Sequence, residues 1–100
     1  VLGTMLELGK YSVSLHRQIA ELVVELSLDG LIIVSQGGEA EAMEIATKSL
    51  PYVEVVESAE DALPPLISCL KPGDVVLLKG SRSIGLERLI PLLKERLSDF

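Results

Sequence analysis

Asp29-Gly-Leu-Ile-Ile-Val-Ser-Gln-Gly-Gly38 is the stretch on which the fold turns. Its centre, Leu31 to Ser35, is an almost uninterrupted aliphatic run, the composition of a strand covered on both faces. Asp29-Gly30 ends the segment before it, and Gly37-Gly38 opens the segment after it. Upstream, Ser12 to Leu28 places Leu15, Ile19, Leu22, Val23 and Leu26 at the spacing of one apolar helix stripe. Downstream, a short helix running to about Leu50 puts Ala42, Ile45, Ala46 and Leu50 inward, and Pro51 forbids its continuation. A strand of this kind between two helices belongs to a parallel sheet, so the class is α/β.

The same alternation continues to both ends. Val53 to Glu57 alternates apolar with polar and reads as a strand nearer an edge, whereas Asp74 to Lys79 reads as a second strand covered on both faces. Val1 to Gly3 resembles the tail of a further strand, so the chain is read as a cut piece. Ser58-Ala-Glu-Asp61 has the form of a capping box opening a third helix, in which Pro64-Pro65 predict a kink or a restart. Pro72-Gly73 turns the chain. A last helix is expected from near Ser83, carrying Leu86, Leu89, Ile90, Leu93 and Leu97 on one face and kinked at Pro91. No repeat or linker interrupts residues 1–100, which form one domain: a Rossmann-like, three-layer arrangement with a mostly parallel sheet and helices on both faces.

Composition narrows the function. With 48% apolar and 24% charged residues the chain folds around its own core. Fifteen acidic against nine basic residues leave a net charge of -6, the opposite of the basic footprint that nucleic acid demands. Aromatics, Phe100 and two tyrosines, are too few for a base-stacking platform. The longest apolar stretches, Leu31 to Val34 and Val75 to Leu78, fall far below the roughly 20 residues of a membrane span. Cys69 stands alone, which fits a reducing, cytoplasmic setting, and with one His and one Cys there is no zinc site. Cys69 is expected in the core, and the molecule is expected to be a monomer.

Ligands of open parallel sheets gather beyond the carboxyl ends of the strands, which directs attention to Gly3 to Gly9, Gln36 to Glu39 and Gly80 to Ser83. Lys79-Gly80-Ser81-Arg82 joins a strand to a helix: glycine permits close backbone approach, the helix start offers N–H groups, and two cations stand out in an acidic protein. That composition suits an anion site and equally an ordinary turn with solvated basic side chains. In Thr4-Met-Leu-Glu-Leu-Gly9, Glu7 is placed to accept from a ribose hydroxyl or a metal-bound water. His16 lies early in the first helix, either meeting a ligand at the same edge or serving the structure. Gly37-Gly38 lacks full dinucleotide-binding spacing and reads as a tight turn. Glu39, Glu41 and Glu44 read as the solvated face of the second helix.

Two of these loops, in this order, carry a resemblance. Val1-Leu-Gly-Thr-Met-Leu-Glu-Leu-Gly9 followed by Leu15-His16, and Pro72-Gly-Asp-Val-Val-Leu-Leu-Lys-Gly-Ser-Arg82 with Glu87, are similar to the carboxyl-terminal domain of the MurF family, the D-alanyl-D-alanine-adding branch of the ATP-dependent Mur ligases. The resemblance runs the length of the chain. It implies a three-domain enzyme of bacterial peptidoglycan synthesis, with an amino-terminal domain for the UDP-N-acetylmuramoyl-tripeptide, a central ATPase domain carrying the phosphate loop, and a third domain that closes over the nucleotide. Residues 1–100 match that third domain, short of its first strand and helix.

The implied reaction activates the tripeptide carboxylate with ATP as an acyl phosphate, assisted by magnesium. The amino group of D-alanyl-D-alanine then attacks, giving an amide, ADP and phosphate. Chemistry of this kind rests on positioning and charge neutralisation. By the match, Lys79, Gly80, Ser81 and Arg82 lie on the dipeptide side, holding its carboxylate through N–H groups and Arg82. Glu87 orients Arg82 or meets the dipeptide. Thr4, Glu7 and His16 face the nucleotide or its magnesium. The match assigns this domain no catalytic group and no metal site of its own. One departure is Thr4, where the family usually has Asp, which takes away a carboxylate contact to magnesium or ribose. Lacking a phosphate loop, the isolated piece is expected to be inactive, its role being binding and closure. The competing class is a free-standing Rossmann-like module that binds an anion or a partner without catalysis, and a Gly-x-Gly-Lys-Thr/Ser loop upstream in the coding sequence would separate the two.

Overall fold

Complete burial marks the centre of the molecule. All four residues of strand β2, Leu31–Val34, are shielded from solvent, in a computed structural model that describes residues 1–97. β2 pairs in parallel with β1 (Leu2–Gly3) on one side and with β3 (Val53–Val56) on the other. Helix α1 (Ser12–Glu25) links β1 to β2, and α2 (Gly37–Ala46) links β2 to β3. After β3, a 3-10 turn (Glu60–Ala62) leads into α3 (Leu63–Cys69), and α4 (Leu89–Arg96) is the last element among the described residues.

The alternation of side chains along β2 builds two cores. Leu31 and Ile33 pack with Ala20 of α1 and Met43 of α2, while Ile32 and Val34 pack with Leu66 of α3 and Leu89 of α4. Helices therefore cover both faces of a parallel sheet, which is the three-layer α/β arrangement expected. β3 is an edge strand, in keeping with its alternating sequence.

Several local expectations are corrected. α1 buries His16 and Ala20 and packs Ile19 and Val23 of the expected stripe, partly buried, against the core, whereas Leu22 and Leu26 are 47% and 61% exposed. The helix is turned so that Ala20, its smallest inward side chain, faces the sheet and permits close approach. It ends at Glu25, because Ser27 adopts a left-handed φ of 55°. α2 turns inward Ala40 and Met43, with Ile45 exposed and Thr47 buried just beyond it, donating from its hydroxyl to Met43 O at 2.8 Å. The prolines of α3 lie in its first turn, where N–H groups have no intrahelical partner, and the Ser58 hydroxyl accepts from Asp61 N. This is a restart rather than a kink. Cys69, placed in the core by its sequence, is exposed, since α3 turns Leu66 inward.

Asp74 to Lys79 does not form the expected strand. It runs beside β1, with Val1 N donating to Leu77 O, Lys79 N to Val1 O and Gly3 N to Lys79 O, and only the Leu2–Lys79 bridge has strand geometry. A partner as short as β1 cannot extend the ladder. Val76 and Leu78 pack against the α3–α4 core, but Val75 and Leu77 are 95% and 68% exposed, so one face is covered and not two. The last helix begins at Leu89 rather than near Ser83, because Gly85 at φ 74° separates two 3-10 turns, Arg82–Ile84 and Leu86–Arg88. Pro91 then falls in the first turn of α4 and kinks nothing. Phe100 lies outside the described residues.

Candidate functional site

β1 is the point where the direction of winding reverses. From β1 the chain steps to β2 and β3 on one side, then returns after α3 to lay residues 77–79 along the other side of β1. In open α/β sheets the crevice at such a reversal, beyond the carboxyl ends of the strands, is where ligands bind. The loop after β1 and the loop after Lys79 are its two walls.

These walls are bonded to each other. Ser81 N donates to Thr4 O at 3.1 Å, and Leu6 N donates to the Ser81 hydroxyl at 2.7 Å. A Cβ on Gly80 would lie 3.0 Å from Gly3 Cα, so glycine at 80 is what allows the backbones to cross. The Ser81 hydroxyl, committed as acceptor to Leu6, makes no capping bond in its own turn. Thr4 is tied inward: its hydroxyl donates toward Ser35 Oγ at 2.8 Å, with Val34 O at 3.3 Å. Ser35, buried at the end of β2, is a member of this network that sequence reasoning passed over. Its signal was a polar residue closing an otherwise aliphatic run.

The remaining residues divide by exposure. Lys79, Arg82 and Glu87 are exposed, and among the described residues no hydrogen bond or ion pair holds their charged ends. Glu87 does not pair with Arg82; the ion pair in this region joins Arg88 to Glu60 at 3.1 Å. Glu7 is exposed and adopts φ 64°, a left-handed conformation uncommon for a residue with a side chain. His16 is fully buried, with Nε2 accepting from Met5 N at 2.9 Å and Nδ1 lying 2.7 Å from Ser12 O.

The Gln36–Glu39 loop reaches the same edge. Glu39, in the first turn of α2, has its carboxyl held below the ordinary value by its own backbone N–H and then by the Ser12 hydroxyl. By contrast, the open hollow of about 530 Å³ lined by Glu41, Glu44, Ile45, Lys48, Leu50 and Val53 sits where β3 begins, at the opposite end of the sheet.

The arrangement suits anionic and hydroxyl-bearing ligands. Lys79 and Arg82 offer cations on one wall, and Glu7 offers an acceptor on the other. Of Thr4, Glu7 and His16, Glu7 alone has its polar group uncommitted among the described residues, which fits a nucleotide's ribose hydroxyl or a metal-bound water. Among the described residues no three His, Cys, Asp or Glu side chains gather as metal ligands, so these residues by themselves do not fit a magnesium cage.

Comparison with known proteins gives the same direction. The family model described as "Mur ligase, glutamate ligase domain" matches residues 1–82. The chain is similar to proteins named UDP-N-acetylmuramoyl-tripeptide--D-alanyl-D-alanine ligase in three distant bacteria. Identity is 39% over 98 residues for Mycobacterium leprae, covering 93% of this chain and 19% of that protein. It is 33% over 97 residues for Synechocystis sp., covering 93% and 20%. For Haemophilus influenzae it is 30% over 97 residues, covering 95% and 21%. The chain thus spans about a fifth of the length of these curated relatives. No solved structure matches it. With the family model lying over most of its length and the D-alanyl-D-alanine ligases aligned across nearly all of it, the chain belongs to the Mur ligase family as its carboxyl-terminal, glutamate ligase domain.

Proposed function

We propose that this chain is the domain of a cytoplasmic, ATP-dependent ligase that closes over ATP and positions D-alanyl-D-alanine for joining to UDP-N-acetylmuramoyl-tripeptide in peptidoglycan synthesis. The observation that carries the reading is the meeting of two loops at one reversal of the sheet: Lys79 to Arg82, with exposed cations, against Thr4 to Glu7, with an exposed carboxylate. The shared name of the aligned relatives supplies the substrates.

In this reading Arg82 pairs with the dipeptide carboxylate, and N–H groups of the 80–83 turn add hydrogen bonds, so that the dipeptide amine is presented in a fixed orientation. Lys79 adds positive charge where the anions meet. Glu7 faces the nucleotide from the opposite wall, Thr4 shapes that wall through Ser35, and Glu87 borders the dipeptide side. Bound ATP, with magnesium, supplies the phosphoryl group that activates the tripeptide carboxylate. The central ATPase domain of the full-length protein is the partner that completes the site, so the isolated chain is expected to be inactive.

The test uses the full-length protein. ADP and phosphate release should require both the tripeptide substrate and D-alanyl-D-alanine, and Arg82→Ala should raise KM for the dipeptide roughly tenfold or more while leaving KM for the tripeptide unchanged. A dipeptide KM that does not move would remove Arg82 from the carboxylate site. Loss of the requirement for D-alanyl-D-alanine would remove the substrate assignment altogether.

A further inference from the structure

The Thr4–Leu8 loop has no regular secondary structure, yet its two central amides are both engaged by side chains from distant elements. Leu6 N uses Ser81, and Met5 N uses the ring of His16. The imidazole bond is the more deeply placed, since His16 is fully buried. A ring nitrogen that accepts from an amide carries no proton, which fixes Nε2 as the acceptor. Nδ1, 2.7 Å from the Ser12 carbonyl four residues earlier, must then carry the proton and donate. The ring is thus neutral and in one tautomer, with no nitrogen left over for a ligand.

We infer that His16 is a positioning residue. It docks the Met5 amide onto α1 and so presets the strained backbone that turns the Glu7 carboxylate outward at φ 64°. The proposal rests on the ligase reading for its kinetic consequence, because Glu7 is the nucleotide-side group that the docked loop displays. It removes His16 from direct contact with nucleotide or metal. Two features of the local sequence serve the arrangement. Ser12 and His16 stand one helical turn apart, so the ring reaches the carbonyl below it. Gly9, at φ 62°, lets the chain turn from the loop into the 3-10 turn Gly9–Tyr11 that feeds α1.

The two nitrogens give a discriminating pair of variants. A Gln side chain can place its carbonyl oxygen near the Nε2 position and accept from Met5 N, whereas Asn reaches only the Nδ1 position. In the full-length protein, His16→Gln is expected to keep KM for ATP within about threefold of the parent, and His16→Asn to raise it about tenfold, the scale of one lost buried hydrogen bond. KM for the tripeptide should be unchanged in both. Equal effects of Gln and Asn would overturn the proposal, as would a larger loss for Gln.

A second measurement stands apart from activity and from the stability of the variants. Long-range proton–nitrogen NMR spectra of the histidine-labelled parent protein report the tautomer directly. A protonated Nδ1 with an acceptor Nε2 is expected for His16; the opposite tautomer, or an exchanging mixture, would overturn the docking role even if no variant folds. Should the parent show no ligase activity, the function proposed above fails, and the tautomer still decides the role of His16.

Discussion

Gly80 and Gly3 cross so closely that a methyl group at 80 would meet the Gly3 backbone, at 3.0 Å from Cα and 3.3 Å from the carbonyl carbon. Backbone cannot swing aside as a long side chain can. Gly80→Ala should therefore cost about 1–3 kcal/mol in a denaturant titration, the range of overpacking. Glu7 presents the opposite case. Its left-handed backbone is strained with any ordinary side chain, so Glu7→Gly should leave unfolding free energy unchanged or raise it by up to about 1 kcal/mol. The same change should raise KM for ATP, and a variant both less stable and fully active would count against the assignment. Glu39 brings a pH dependence. Its folded-state carboxyl lies below the ordinary value of 4.5, so it adds stability above that pH and loses it as pH falls through the lower folded value. Unfolding midpoints measured between pH 3 and 7 should fall less steeply on the acid side for Glu39→Gln than for the parent.

Among the elements, those with a strong one-dimensional signal were legible in advance and those set by neighbours were not. The β2 run, the edge character of β3, a break in the helix at Pro64-Pro65 (a restart, where a kink was equally open) and the Pro72-Gly73 turn are local matters, and each follows from residues within a few positions. The face that α1 buries is not local. Ile19 and Val23 of the expected stripe do pack against the core, but the most buried places go to Ala20 and His16, because a small side chain and a fully bonded ring fit where Leu22 and Leu26 do not. The strand expected from Asp74 to Lys79 fails for a similar reason, since a strand needs a partner of its own length and β1 is short. That segment allows a paired test. Leu77→Ala should change stability by no more than about 0.5 kcal/mol. Leu78→Ala, which empties a place against the α3–α4 core, should cost about 2 kcal/mol. Equal effects would mean that the exposed face is covered in solution.

For the whole molecule, burial predicts a gradient of motion. β2 lies between two helical layers with every residue shielded, so its amides should exchange with deuterium most slowly, and those of 73–76, outside any regular ladder, among the fastest. The loops that form the candidate site could be singled out from glycine and charge alone, because strand ends in an α/β sheet are the natural places to look. What could not be read was that they touch. The bond from Leu6 to Ser81 spans seventy-five positions, and no periodicity connects them; it arises only once the chain returns to the far side of β1.

That long-range bond has a consequence for transplantation between ligases. Ser81 bonds to both Thr4 and Leu6 across the crevice, so the two segments are held as one unit. A chimera that receives residues 79–82 without residues 3–8 inherits a hydroxyl aimed at a mismatched backbone and a glycine crossing with nothing cut to receive it. Under the proposed ligase function, recombination of substrate preference among Mur ligases should succeed when both segments travel as a pair, and single-segment grafts should fold yet lose turnover with either donor's substrate.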